Sequence, residues 1–170
     1  MVIIQARLRY ISLFSIPIQR RWRFLLDNHS VANTQDNDGN TPLHCAEDHE
    51  IVRLLLEDGG ANPNIPNEAG ICAIHLAVRR RDYKSLKALI DHRASVNVAD
   101  DESWRTPLHL IAQENEISCR ENIIQIDEMS TIGKIAQLLC QVKSPSTPDL
   151  NYQDKDGNTP LHFAAMLDND

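Results

Sequence analysis

Aromatic residues make up only 5% of this 170-residue chain, and no apolar run approaches the ~20 residues that a membrane-spanning helix needs. Membrane insertion is therefore not expected. Cations are outnumbered, 17 Lys and Arg against 24 Asp and Glu, for a net charge of -7. A surface built to hold phosphate backbones is basic, so direct nucleic-acid binding is not expected either. The four cysteines, Cys45, Cys72, Cys119 and Cys140, form no CxxC pair. That suits free thiols in a reducing, cytoplasmic or nuclear setting, with Cys45 and Cys72 on helices as small core residues. Catalytic punctuation is missing too: the chain has no Gly-rich phosphate loop, no nucleophile elbow and no HExxH helix. An enzyme is not expected, nor is a cofactor.

What the chain has instead is a recurring phrase: Thr41-Pro-Leu-His44, Cys72-Ala-Ile-His75, Thr106-Pro-Leu-His109 and Thr159-Pro-Leu-His162. Each part has a physical reason. A Thr hydroxyl can cap a helix N-terminus, and Pro at the next position has a suitable fixed φ and no amide to leave unpaired. Leu43, Ile74, Leu108 and Leu161 are expected to point into a stack. The histidines fall one per unit rather than at ligand spacing, so His44, His75, His109 and His162 read as hydrogen-bonding ties between neighbouring units and not as a metal set. A turn and two short helices recurring about every 33 residues is the ankyrin signature. From roughly Trp22 to the C-terminus the chain resembles ankyrin-repeat proteins. The resemblance implies an all-α solenoid of about four to five helix-turn-helix repeats joined by β-hairpin-like fingers, in which each unit buries its apolar face only against its neighbours.

The expected divisions are 1–17 as a degenerate N-terminal cap or disordered extension, and 18–170 as the repeat domain. Within it lie a partial repeat at about 18–35, repeats at 36–66, 67–101 and 102–153, and a partial repeat at 154–170. The first 23 residues contain five arginines and no acidic residue. A worn repeat, a disordered extension and a targeting segment remain open for them.

The first full repeat is short, since His44 and His75 are 31 residues apart. Helix one is expected to end near Asp48, with the turn compressed into Asp48-His49-Glu50. In the second repeat Ile74, Leu76, Ala77, Leu86, Leu89 and Ile90 are expected to face inward. Arg79-Arg-Arg81 follows its first helix, where cations match the helix dipole; Arg79 and Arg80 also stand where they can meet an acidic partner. The third finger, Asn97 to Thr106, is one residue longer than usual, with Trp104 near the place of a Gly. Trp104 reads either as a contact anchor or as a brace on the adjacent finger.

His109 and His162 are 53 residues apart, about 20 more than one repeat needs. The surplus is expected as insertions near 116–131 and 141–148. Ser144 and Thr147, each followed by Pro, are candidate phosphosites. The last unit repeats the first finger and leaves Phe163, Met166 and Leu167 on an open end, so the chain is expected to be monomeric unless that end pairs.

The expected function is a non-catalytic adaptor or scaffold binding a protein through finger tips and the concave first-helix face. Candidate contacts are Asn37, Asp38 and Asn40 on the first finger, and Glu68 and Ile71 on the second. Arg79, Arg80, Asp101, Glu102, Trp104 and Arg105 follow, then Gln113, Glu114 and Lys155. Thr41, Thr106 and Thr159 belong to the structural motif with the four histidines. Over Glu68 to Leu110, the lengthened finger after Gly-x-x-Ala-Ile-His-Leu-Ala resembles the inhibitor-of-NF-kappaB family and the ankyrin halves of NF-kappaB precursors. That closer resemblance implies masking of a Rel-type transcription factor. The chain departs from it in having no Asp-Ser-Gly-x-x-Ser degron and no acidic Pro/Ser/Thr tail, so regulated degradation is not expected.

Overall fold

The computed structural model describes residues 31–113, 131–142 and 147–167. Among these residues, after a 3-10 turn, Val31–Asn33, come seven helices: α1 Pro42–Cys45, α2 His49–Glu57, α3 Ala73–Arg79, α4 Tyr83–Asp91, α5 Pro107–Gln113, α6 Thr131–Gln141 and α7 Pro160–Leu167. No strand occurs among the described residues. The first helices α1, α3, α5 and α7 pack in succession, and α2, α4 and α6 form a second layer beside them. The result is a row of two-helix units, because each unit's apolar stripe finds its cover only on the next unit.

The second helices show why these segments are helical. In α2 the buried residues Val52, Leu55 and Leu56 recur at helical spacing, and Asp48 caps the start by accepting from the Glu50 N–H at 2.9 Å. Asp82 does the same for α4, accepting from Lys84 and Ser85 at 3.1 Å each, while Leu86 and Leu89 are buried beneath. Ile135 and Leu139 continue the seam in α6. Each fully buried Leu or Ile contributes on the order of 2 kcal/mol of transfer free energy.

The first helices are too short to be stable alone, and the recurring His holds them. The Thr41 N–H donates to His44 Nδ1 at 3.0 Å, Cys72 to His75 at 3.0 Å, Thr106 to His109 at 3.2 Å and Thr159 to His162 at 3.1 Å. Nδ1 is thus an acceptor, which leaves the ring proton on Nε2. That nitrogen donates into the next unit: His44 to the Ile71 carbonyl at 2.8 Å, His75 to Val98 at 3.1 Å and His109 to Asn158 at 3.2 Å. The Thr hydroxyl sits on the same ring nitrogen, 2.8 Å away in Thr41 and Thr106. Among the described residues no group of three or more His, Cys, Asp or Glu is placed to hold a metal ion.

Between units the chain makes hairpin-like fingers. In the first, Asp36 N–H donates to the Asn40 carbonyl at 2.9 Å and the Asp36 carboxylate accepts from Asn40 N–H at 2.8 Å. Asn67 with Ile71, and Asp154 with Asn158, repeat the pattern. Successive fingers are laced by one backbone bond each: Glu68 N–H to the Asp38 carbonyl, Asp101 to Ala69 and Lys155 to Ser103, at 3.0–3.1 Å. Gly39 and Gly70 are required where these bonds form. Both have positive φ, and an added Cβ would lie 2.8 Å from Glu68 N and 2.7 Å from Asp101 N respectively.

Several expectations need correction. Helix one of the shortened repeat ends at Cys45, earlier than Asp48; Asp48 is the cap of α2, so His49 and Glu50 already belong to that helix. Cys45 is exposed, and Cys72 stands at a cap position, where other units carry Thr, rather than on a helix. Burial does push the Cys72 thiol up to about 11. Leu76 is half-buried rather than inside, whereas Ile90, also half-buried, packs against the core as expected. Leu161 does not enter the stack: Leu43, Ile74 and Leu108 are 3, 0 and 8% exposed, but Leu161 is 74% exposed, because among the described residues no further unit covers α7. Residues 1–30 and the greater part of the 116–131 insertion lie outside the described residues.

Candidate functional site

The third finger differs from the others by the residue that the sequence shows as extra. Its closing bond runs from the Asp100 N–H to the Arg105 carbonyl at 3.1 Å, five positions on where the other fingers span four. The added residue changes who takes the left-handed turn. Trp104 has φ +56°, in the place held by Gly39 and Gly157 at +76° and +81°. A left-handed conformation costs a non-glycine residue roughly 1–2 kcal/mol, so this finger is held from outside. The Lys155 ammonium of the next finger donates to the Asp101 carbonyl at 2.8 Å and to that of Glu102, and lies 5.9 Å from the centroid of the Trp104 ring. Trp104 is still 52% exposed. One side of the ring thus meets the neighbouring finger's cation, as a brace would, and the other faces solvent.

Beneath this finger, in the angle it makes with the first-helix layer, opens a cleft of about 460 Å³ lined by Arg79, Asp100, Ser103, Arg105, Leu110 and Gln113. Arg105 forms its wall. Its guanidinium donates to Gln113 Oε1 at 3.1 Å, lies 4.9 Å from the Phe163 ring centroid, and puts Nε 3.6 Å from Asp154 Oδ2. Burial alone would raise the Asp154 carboxyl, but the amides of Asn158 and Asp156 and the Arg105 charge outweigh it and hold the group below its ordinary value. Phe163 also meets His109 edge-on, with centroids 6.0 Å apart. The wall of the cleft is thus tied to the last unit through both charge and ring packing.

The family model for ankyrin repeats matches in three copies, over residues 19–67, 48–131 and 74–170. The chain belongs to the ankyrin-repeat family. Its ankyrin units are similar to segments of much longer proteins. The chain is 30% identical to Rabankyrin-5 of Mus musculus over 140 residues, 81% of this chain and 11% of that protein. It is 34% identical to the nuclear factor NF-kappa-B p105 subunit of Mus musculus over 135 residues, 76% and 12%. With Inversin of Canis lupus familiaris it shares 29% identity over 150 residues, 86% and 12%. The chain therefore spans little more than a tenth of the length of the curated relatives it matches. Ankyrin arrays are protein-protein interaction modules, and this one has the same helical frame.

Of the candidate contacts, the ankyrin frame brings Arg79, Arg105 and Gln113 to one cleft and sets Trp104, Asp101, Glu102 and Lys155 beside it. Asn37, Asp38 and Asn40 stand on the first finger and Glu68 and Ile71 on the second, away from that cleft. Some candidates are committed internally. Arg80 reaches back to the preceding unit, donating to the Ala46 carbonyl at 2.5 Å and the His44 carbonyl at 3.4 Å, where it caps the end of α1. Asn40 accepts from Asn67 Nδ2, and Ile71 gives its carbonyl to His44. Thr147 is exposed, and its carbonyl accepts from Asn97. Glu114 and Ser144 lie outside the described residues.

A second set of ties, outside the Thr-Pro-Leu-His motif, runs through asparagines. The Asn33, Asn64 and Asn97 side chains each bridge forward to the following unit's exit, accepting from the amides of Asn62, Ser95 and Asp149 at 2.7–2.8 Å and donating to the Gly60, Arg93 and Thr147 carbonyls. The signal was present: each of these Asn residues, like Asn151, stands three before the Asp or Asn that opens a finger.

Proposed function

We propose that this ankyrin array holds a protein partner along its finger tips and the cleft beside the third finger, with Trp104 at the centre of the contact. The observation that carries this reading is the lengthened finger: a half-exposed Trp kept in a left-handed turn by Lys155, above an open cleft. A large ring fixed before binding loses little freedom on contact, and Trp and Arg dominate interface centres. The encounter belongs in the cytoplasm or nucleus, where the unpaired Cys45 and Cys140 stay reduced. The partner acts as ligand and the array performs no chemistry on it.

The direct test is to place a photo-crosslinking residue at position 104, and separately at the exposed Lys87 on α4, in a cell extract. Crosslinking to a protein from position 104 and not from 87 is expected; crosslinking from 87 alone would contradict the reading. A second reading, masking of a Rel-type transcription factor, is favoured by the similarity to the p105 subunit together with the lengthened third finger. A purified Rel-homology domain should then bind, and Trp104→Ala should weaken it by about 2 kcal/mol or more; absence of binding removes this second reading and leaves the first.

A further inference from the structure

The lining of the cleft is unbalanced in its hydrogen-bonding groups. Its acceptors are largely in use: Asp100 Oδ1 takes the Ser103 amide at 2.6 Å with the residue buried, and Gln113 Oε1 takes Arg105 at 3.1 Å. Asp154, behind the wall, is engaged by the Asn158 and Asp156 amides and faces Arg105. Donors remain. Gln113 and Ser103 belong to the lining, and among the described residues neither the Gln113 amide N–H groups, the Ser103 hydroxyl nor Arg79, exposed at the end of α3, makes a hydrogen bond or ion pair. Its neighbour Arg80 is spent on the carbonyls of α1, and Arg105 on Gln113, Asp154 and Phe163. Among the described residues, Arg79 is the cation of this cleft whose five donors are uncommitted.

We propose that the cleft takes a carboxylate side chain, an Asp or Glu on an extended partner segment, with the Arg79 guanidinium as its seat and the Gln113 amide and Ser103 hydroxyl as flanking donors. This rests on the protein-binding reading above and names the chemistry of the partner. A guanidinium fork matches a carboxylate bidentately, and charge-assisted bonds are the stronger kind. Most of the chain's net charge of -7 is remote and is screened beyond about 8 Å at physiological salt; the Asp100 carboxylate in the lining, with Asp101 and Glu102 beside it, opposes an incoming carboxylate locally, and the Arg79 and Arg105 cations of the same lining offset it.

The test is selection of random twelve-residue peptides displayed on phage against the purified chain, followed by affinity measurement of synthetic winners. The expected result is that winners share an Asp or Glu, that replacing it by Asn or Gln weakens binding about tenfold or more, and that Arg79→Glu and Arg79→Gln do the same. Arg79→Lys should recover part of the loss. Circular dichroism melts of Arg79→Gln should stay close to the parent, since Arg79 makes no hydrogen bond or ion pair among the described residues and gives α3 only a last-turn cation, and Lys87→Glu should bind as the parent does. Winners that are neutral yet lose binding with Trp104→Ala would overturn the acidic partner while leaving the docking reading intact. Acidic winners indifferent to Arg79 would overturn its role as the seat. If no peptide depends on either residue, both readings fall.

Discussion

Four units carry the same apolar position in the same motif, and the structure gives them different surroundings, so the position is a natural experiment. Leu108 is 8% exposed between α5 and its neighbours, whereas Leu161, its counterpart on α7, is 74% exposed. Truncating Leu108 to Ala removes buried methyl groups and leaves a cavity between rigid helices, which costs about 2–4 kcal/mol. The same change at Leu161 removes atoms already in water and should stay within about 0.5 kcal/mol. Urea unfolding followed by far-UV circular dichroism measures both. Leu108→Ala should shift the midpoint strongly and, if α7 and its finger come away first, should also lower the slope m. Leu161→Ala should leave both unchanged. Equal losses at the two positions would refute the reasoning, because they would mean that a unit's stability does not depend on the neighbour that covers it.

Three further outcomes follow from named contacts. Burial pushes the His75 imidazole below its ordinary value of 6.5, with the Val98 carbonyl bond and the Asp100 charge pulling the other way. The unfolded chain then binds the extra proton first, so this stabilisation is complete above about pH 6.5 and is lost as pH falls from there through the lower folded value; urea midpoints measured from pH 7.5 to 5 should show a slope that flattens in His75→Gln. Asn97→Ala removes two bonds to the exit segment at Thr147 and Asp149 and should cost about 1–2 kcal/mol, read by the same unfolding curves, with an unchanged midpoint counting against the tie. Trp104→Gly relieves a left-handed turn at the loss of a ring contact; thermal melts should show a change of no more than about 1 kcal/mol either way, and a collapse of the fold would make Trp104 a brace instead of an anchor.

The repeating frame was legible because its physics is local. Thr-Pro-Leu-His writes a cap, a first turn, a core residue and a tie within four positions, and the structure places those histidines on the next unit's carbonyls. The extra residue of the third finger was also countable, since a finger closes over a fixed number of residues and Trp104 stands in the glycine's place. What the sequence concealed depends on neighbours. Arg80 reads as a free cation on its own helix, and only the stacking of α3 on α1 brings it to the Ala46 carbonyl. Leu161 looks identical to Leu108 until the covering unit is considered. The Arg105, Asp154 and Phe163 assembly joins residues about 50 positions apart, on the far side of an insertion. The Asn33, Asn64 and Asn97 bridges were periodic but unmarked, since an Asn before a turn is common enough to pass as turn chemistry.

The most direct measurement is the backbone NMR spectrum of the isotopically labelled chain during titration with the tightest selected acidic peptide. Shifts concentrated at Arg79, Ser103 to Arg105 and Gln113, with the α2 and α4 amides still, are the expected result. Shifts centred on α2, α4 and α6 with the third finger unmoved would contradict a partner held in the cleft beneath Trp104.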